Sequence, residues 1–179
     1  ESIPELEVIN ELAAREGKVA RVCLRINPDV EAHTHTHIIT GMAENKFGIA
    51  LHDMLHVVQL AQQLPNISFI GLHFHIGSQI TNMHDFVALC ERINEIQHLL
   101  HKHAIYPSVI NVGGGLGIDY QTPNEHPIAD FKAYFRVFTQ YLHLRPEQSL
   151  HFELGRSVVA QCGSLITRVL YVKHTEQKE

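Results

Sequence analysis

Residues 67–80, ISFIGLHFHIGSQI, decide the fold. Apolar and β-branched residues fill the stretch as far as His75, and Gly77-Ser78 then breaks it, so it reads as a buried strand ending in a turn. Met54, Val57, Val58 and Ala61 precede it on one helical face, closed by Leu64-Pro65-Asn66. Phe86, Leu89, Cys90, Ile93, Ile96 and Leu100 follow it as a second amphipathic stripe, which Pro107 is expected to terminate.

The same alternation extends in both directions. VARVCLRI (19–26) reads as a strand stopped by Asn27-Pro28 before a long polar loop. SVINV (108–112) is a third strand, running into Gly113-Gly114-Gly115, and SLHFE (149–153) a fourth, ended by Leu154-Gly155-Arg156. Phe131, Tyr134, Phe135 and Phe138 mark the helix between them. At the start, Ser2-Ile3-Pro4-Glu5 forms a capping box for a helix with Leu6, Ile9, Leu12 and Ala13 on its apolar stripe, stopped by Gly17.

Strands alternating with helices imply βαβ units and a parallel sheet. The spacing, roughly 40 residues per unit against the ~30 of an eight-unit barrel, leaves room for loop insertions. The expectation is an α/β fold: a partial (β/α)8 TIM barrel of about four βα units, truncated at both ends. Such a half barrel has two open strand edges, and the run SLITRVLYVK (164–173) looks like one further strand.

Composition narrows the partners. The 179 residues are 45% apolar with a net charge of -5, and lysine and arginine are scattered, which favours neither nucleic acid nor an anionic membrane surface. No apolar run reaches the ~18 residues of a spanning helix. Cys23, Cys90 and Cys162 each sit in an apolar stretch, as buried thiols of a reducing compartment would, so the cytoplasm is the expected location.

The chemistry gathers where strands end: Arg25-Ile26-Asn27-Pro28, His75-Ile76-Gly77-Ser78, Gly113-Gly114-Gly115 and Glu153-Leu154-Gly155-Arg156. In barrels that rim binds ligands. Amides freed by a glycine triplet can close around a phosphate, although the triplet is equally at home as a tight turn. It is neither the dinucleotide fingerprint, since Ile118 or Tyr120 falls where the last glycine belongs, nor a P-loop. Arg156 can clamp phosphate or carboxylate, or pair with Glu153 as a structural ion pair. Ser78 can cap the next helix or donate to a phosphate. His73 and His75 share a strand face, so chelation is geometrically open, but no zinc motif completes it; His33, His35 and His37 alternate in a polar loop. No metal is expected.

Taken together, LRINPDVEAHTHTHIITGMAENKFGI (24–49), GLHFHIGSQI (71–80), INVGGGLGIDY (110–120) and ELGRSVVAQCGSLITRVLYVK (153–173) resemble, in order and spacing, the middle of the diaminopimelate decarboxylase family. The resemblance implies pyridoxal 5'-phosphate as cofactor, an alanine-racemase-like barrel over 1–160, the start of the crossover to a C-terminal β domain over 161–179, and a homodimer. It implies decarboxylation of meso-2,6-diaminopimelate to L-lysine and CO2. The alternatives are a related decarboxylase of ornithine, arginine or carboxynorspermidine, or a non-catalytic barrel that binds the cofactor or phosphate. By the same resemblance His75 would stack on the pyridine ring and Glu153 would pair with its nitrogen. Ser78, Gly113, Gly114, Gly115, Leu154, Gly155 and Arg156 would surround the cofactor, with Arg156 also touching the amino-acid substrate. Lys46 and Arg25 would line the cofactor's hydroxyl side. Leu154 stands where the family usually has proline, which loosens the turn but removes no ligand group. The lysine that the family links to the cofactor, in a K-A-N motif, and the partner subunit's cysteine and tyrosine are not among these residues, so the excerpt alone is expected not to turn over.

Overall fold

A computed structural model describes residues 1–30 and 47–174. Lys46 and the three histidines of the THTH run lie outside the described residues. Nine elements alternate: α1 (Ile3–Arg15), β1 (Ala20–Arg25), α2 (Leu51–Gln63), β2 (Ile67–His73), α3 (Met83–Lys102), β3 (Val109–Asn111), α4 (Phe131–Tyr141), β4 (Ser149–His151) and the single turn α5 (Arg156–Val159). The four strands are all parallel and stand side by side in chain order, β1-β2-β3-β4. A sheet that adds each new strand on the same side, without reversing, is wound as a barrel segment rather than as an open doubly wound sheet.

Burial explains the winding. Side chains alternate across a strand, and on one face Leu24, Ile26, Leu72, Phe74, Ile110 and Val112 are buried in a single core with Leu6, Val57, Ile93 and Phe138 from the helices. The opposite face carries Cys23, Arg25, His73, Asn111 and His151, which are half-buried or exposed. A helix layer on one side and a polar face on the other is what places the functional groups. β1 and β2 lose register between Val22 and Cys23, where Ile70 of β2 is left without a partner as a bulge.

Helix termini follow the sequence signals with three corrections. Ser2 caps α1 through the Glu5 amide, as the capping box requires. Leu12, however, is 52% exposed, because it lies well round the helix from the Leu6, Ile9 and Ala13 stripe. Helix α3 ends before Pro107 is reached. Ala104 adopts a left-handed conformation (φ 55°), and the Ile105 and Ala104 amides return to the Leu100 and His101 carbonyls, a Schellman closure with alanine where glycine is usual. Ser78 does not cap α3: Asn82 does, accepting from the His84 amide.

The run SLITRVLYVK forms no strand. Residues 164–173 are irregular and exposed, with Leu165 and Ile166 more than nine-tenths open, because among the described residues nothing lies alongside to pair with them. The cysteines also divide: Cys90 is buried, its thiol pushed up to about 12 by burial, Cys23 is half-buried, and Cys162 is exposed, so burial is not common to all three. No helix among the described residues is long and apolar enough to cross a membrane.

Candidate functional site: the strand-end rim

Parallel register sets the rim. Arg25 of β1 pairs with His73 of β2, His73 with Asn111 of β3, and Asn111 with His151 of β4, so the four strands end at one level. His75 and Glu153 each lie two residues further along on the same face. The glycine turn after β3 is wedged between them.

The turn needs its glycines for packing. Gly113 has φ +68°, and an added Cβ would stand 2.4 Å from the Phe74 carbonyl oxygen; at Gly114 it would stand 2.2 Å from that of Glu153; and Gly115 has φ +94°. Asn111 Oδ1 accepts from the Gly113 amide at 2.9 Å, and the Gly113 carbonyl accepts from the Glu153 amide at 2.7 Å. The tight-turn reading therefore holds. It does not exhaust the loop, since the amides of Gly115 and Leu116 have no hydrogen-bond partner among the described residues. Gly155 differs again: a Cβ there would meet nothing within 4 Å and its φ is negative, so neither packing nor backbone geometry requires glycine.

Glu153 is held by neutral groups. Its Oε1 accepts from Asn111 Nδ2 at 2.8 Å, and its Oε2 lies 3.3 Å from His73 Nε2, off the line of a good hydrogen bond. Burial pushes His73 and His75 below the ordinary imidazole range; Arg25 reinforces this at both, while Glu153 opposes it. Both rings are thus neutral near pH 7. His75 Nδ1 faces the Gly114 amide at 3.5 Å, a loose contact that leaves the ring a flat wall beside the turn.

Arg156 does not pair with Glu153. Its Nη1 donates to Gln79 Oε1 at 3.2 Å and its guanidinium stands 5.7 Å from the Tyr120 ring centre, so the ion pair weighed from sequence is replaced by a polar hold and a cation–π contact. Gln79 has a left-handed backbone (φ 62°) and clasps the Ile118 backbone through both ends of its amide. It ties the loop after β2 to the loop after β3. Ser78 is exposed at the mouth of this junction, and Leu154 is half-buried against the core.

Arg25 is engaged at the far edge of the rim, paired with Glu1 and 5.1 Å from the Phe47 ring centre. A cleft of about 650 Å3 lies beside the rim, under the loop after β3, lined by Gln79, Leu116, Tyr120, His126 and Asp130. None of His75, Glu153 and Arg156 lines it, so the chemistry points to the rim instead. Within that loop Asp119 accepts from the Thr122 amide and hydroxyl, the Gln121 amide and the His126 ring, which holds its carboxyl well below the usual range. Among the described residues no group of three histidine, cysteine or acidic side chains could hold a metal.

The structure thus brings together His75, Gly113, Gly114, Gly115, Glu153, Leu154, Gly155 and Arg156, with Ser78 at the edge and Arg25 beside His73 on the neighbouring strand. The sequence weighs His73 only as a possible chelating partner of His75 and does not single out Asn111 or Gln79. Period-two alternation already placed His73 with His75, and Asn111 with Gly113; what it lacked was the register between strands.

Residues 1–160 match the family model described as pyridoxal-dependent decarboxylase, pyridoxal binding domain. The chain belongs to that family. It is 62% identical over all 179 residues to a diaminopimelate decarboxylase of Bacteroides thetaiotaomicron, covering 46% of that protein, and 46% identical over 178 residues to one of Neisseria meningitidis serogroup B, covering 42% of it. The chain spans less than half the length of these relatives. Among solved structures, the diaminopimelate decarboxylase of Helicobacter pylori complexed with L-lysine superposes with a TM-score of 0.80 at 34% identity, over 97% of this chain and 43% of that one. The corresponding protein of M. jannaschi gives 0.76 at 32% identity, over 98% and 42%.

The rim fits the family's cofactor. A dianionic phosphate needs amide donors and a cation, and the unpartnered amides of Gly115 and Leu116, the open space at Gly155 and the Arg156 guanidinium meet that need. A pyridine ring needs a flat wall and a carboxylate for its nitrogen, which His75 and Glu153 offer.

Proposed function

We propose that this chain is the cofactor-holding part of an enzyme that decarboxylates meso-2,6-diaminopimelate to L-lysine and CO2. The observation that carries the reading is the Glu153 carboxylate, set at the strand-end rim across the glycine turn from His75 by neutral partners that leave its charge unspent. The names of its relatives and the L-lysine in the H. pylori structure support the choice of substrate.

Bound pyridoxal 5'-phosphate supplies an electron sink for the electron pair left behind when CO2 departs. This chain's residues serve it in separable ways. The turn Gly113, Gly114, Gly115, with Ser78, Gly155 and Arg156, would hold the phosphate, while Leu154 shapes the turn between Glu153 and Gly155. Glu153 would keep a proton on the pyridine nitrogen, since a carboxylate facing that nitrogen favours its charged form. His75, kept neutral by burial, would flank the ring without opposing that positive charge. Arg156 would also orient a substrate carboxylate, and Arg25 and Lys46 would line the hydroxyl side of the ring. The same reading makes the protein a cytoplasmic homodimer, with residues 161–179 leading out of the barrel; light scattering on the purified protein tests the dimer.

The decisive measurement is CO2 release by the purified, cofactor-loaded full-length protein from meso-diaminopimelate, L-ornithine and L-arginine in parallel. Release from meso-diaminopimelate alone is expected. Release confined to ornithine or arginine overturns the substrate, and none from any of the three overturns the enzyme reading.

A further inference from the structure

Two side chains outside the expected set grip the rim carboxylate. Asn111 has its oxygen committed to the Gly113 amide at 2.9 Å, so its amide nitrogen is the end that faces Glu153, donating to Oε1 at 2.8 Å. His73 brings a fully buried Nε2 to within 3.3 Å of Oε2 and has no other polar partner there among the described residues. The two come from adjacent strands at paired positions, His73 opposite Asn111, and approach one carboxylate oxygen each.

We propose that His73 and Asn111 are positioning residues for Glu153, fixing its carboxylate in register with the glycine turn so that one rigid unit addresses both the ring nitrogen and the phosphate of the cofactor. The inference rests on the role given to Glu153 above. What favours it over a merely structural contact is the charge balance. Neither partner is a cation: one is an amide and the other an imidazole kept neutral by burial. A carboxylate anchored by Arg or Lys would be neutralised in place, whereas this one is oriented while its charge stays available to a cationic ligand. Among the described residues no Lys or Arg pairs with Glu153. A carboxylate 3.3 Å away also favours the imidazole tautomer that carries its proton on Nε2.

The test uses the purified full-length protein with pyridoxal phosphate and four variants: Glu153→Gln, Asn111→Asp, His73→Phe and His73→Gln. Asn111→Asp keeps an oxygen for the Gly113 amide but sets a second carboxylate against Glu153. His73→Phe removes the nitrogen at similar volume, and His73→Gln can return an amide nitrogen to the Nε2 position. Four quantities are read: kcat, KM, the pyridoxal phosphate dissociation constant, and the pH at which the visible band of the bound cofactor changes. Misplaced orienting groups cost roughly 10- to 100-fold in such sites. We expect kcat to fall in that range in Asn111→Asp with KM little changed, and the band's transition to move in the same sense as in Glu153→Gln. His73→Phe should move it less, and His73→Gln should return it towards the parent. If Glu153→Gln shifts the transition while folded Asn111→Asp and His73→Phe leave it and kcat unchanged, the inference is overturned and the role of Glu153 stands. If Glu153→Gln itself leaves the transition in place, that role fails and the inference with it. Should Asn111→Asp not fold, the two His73 variants decide alone, and equal transitions in them overturn the proposal.

Discussion

Phe152 and Glu153 are neighbours in the chain and belong to two different worlds. Phe152 turns to the helix side, 5.0 Å from the Phe135 ring centre and 5.2 Å from that of Phe138, in a cluster that Tyr134 and Phe86 complete at 4.8 Å from each other. Glu153 turns to the rim, where each of its oxygens has one named neighbour. The aromatic cluster works by filled volume and tolerates waste: the Tyr134 hydroxyl is buried there with no partner among the described residues. The rim works by pairing, and its distances matter more than its bulk. Changes on the helix side should therefore alter stability and spare cofactor binding, and changes at the rim should alter cofactor binding, with a cost in stability only where they displace backbone or a buried ring.

The largest effect tests the helix side. Phe86 is fully buried, and Phe86→Ala removes a whole ring from the cluster. A loss of about 3–5 kcal/mol is expected in denaturant unfolding, with the visible band of bound pyridoxal phosphate unchanged in the protein that remains folded. A loss below roughly 1 kcal/mol would mean the α3–α4 interface is not the anchor the ring contacts suggest.

The rim is probed by two glycines that differ in what surrounds them. Gly114→Ala drives a methyl to 2.2 Å from the Glu153 carbonyl oxygen, so the turn must move; about 1–3 kcal/mol of stability and most of the cofactor affinity should go together. Gly155→Ala meets nothing and should leave stability within about 0.5 kcal/mol. Its effect should appear in the pyridoxal phosphate titration alone. If Gly155→Ala binds the cofactor as tightly as the parent does, the space at Gly155 does not hold the phosphate.

A smaller change runs in the opposite direction. Tyr134→Phe deletes the unpartnered hydroxyl, and a buried polar group without a partner costs more than it returns, so unfolding free energy should rise by about 1 kcal/mol. A fall of similar size would show that the hydroxyl is satisfied in solution by a group that moves to meet it.

The two regions were not equally readable from sequence. The helix side was, because its signal is periodic: the stripe from Phe86 to Leu100 and the aromatic spacing of Phe131 to Phe138 state which face is buried. Individual strand ends were readable too, since glycine and proline punctuate them. The clamp on Glu153 was not, because it depends on His73, Asn111 and His151 falling at one level across three strands, and register is a tertiary quantity that no local pattern encodes. Two errors share one cause. Leu12 and the run from Leu165 to Val172 were counted as buried or paired for being apolar, yet apolarity gives only a readiness to be covered, and among the described residues nothing covers them.

The smallest effect separates the regions by pH. His73 and His75 sit below the ordinary imidazole range because burial disfavours their charged forms. On acidification the unfolded chain therefore takes up protons near pH ~6.5 while the folded rim still refuses them. Their contribution to stability is whole above that pH and is lost as pH falls towards the depressed folded values. Glu153 limits the effect at His73 by favouring its charged form, and Arg25 adds to it at both rings. The helix-side cluster has no group that titrates in this window: burial raises both the Tyr134 hydroxyl and the Cys90 thiol, which moves them further into alkali. Melting temperature should thus decline between pH 7.5 and 5.5 in the parent and in Tyr134→Phe alike, and decline less in His73→Gln. The window stops short of the carboxylate range, so carboxyl protonation does not imitate the result. A melting temperature that holds or rises over that interval would mean the rim histidines are protonated in the folded protein, and the neutral clamp around Glu153 would have to be redrawn with a charge in it.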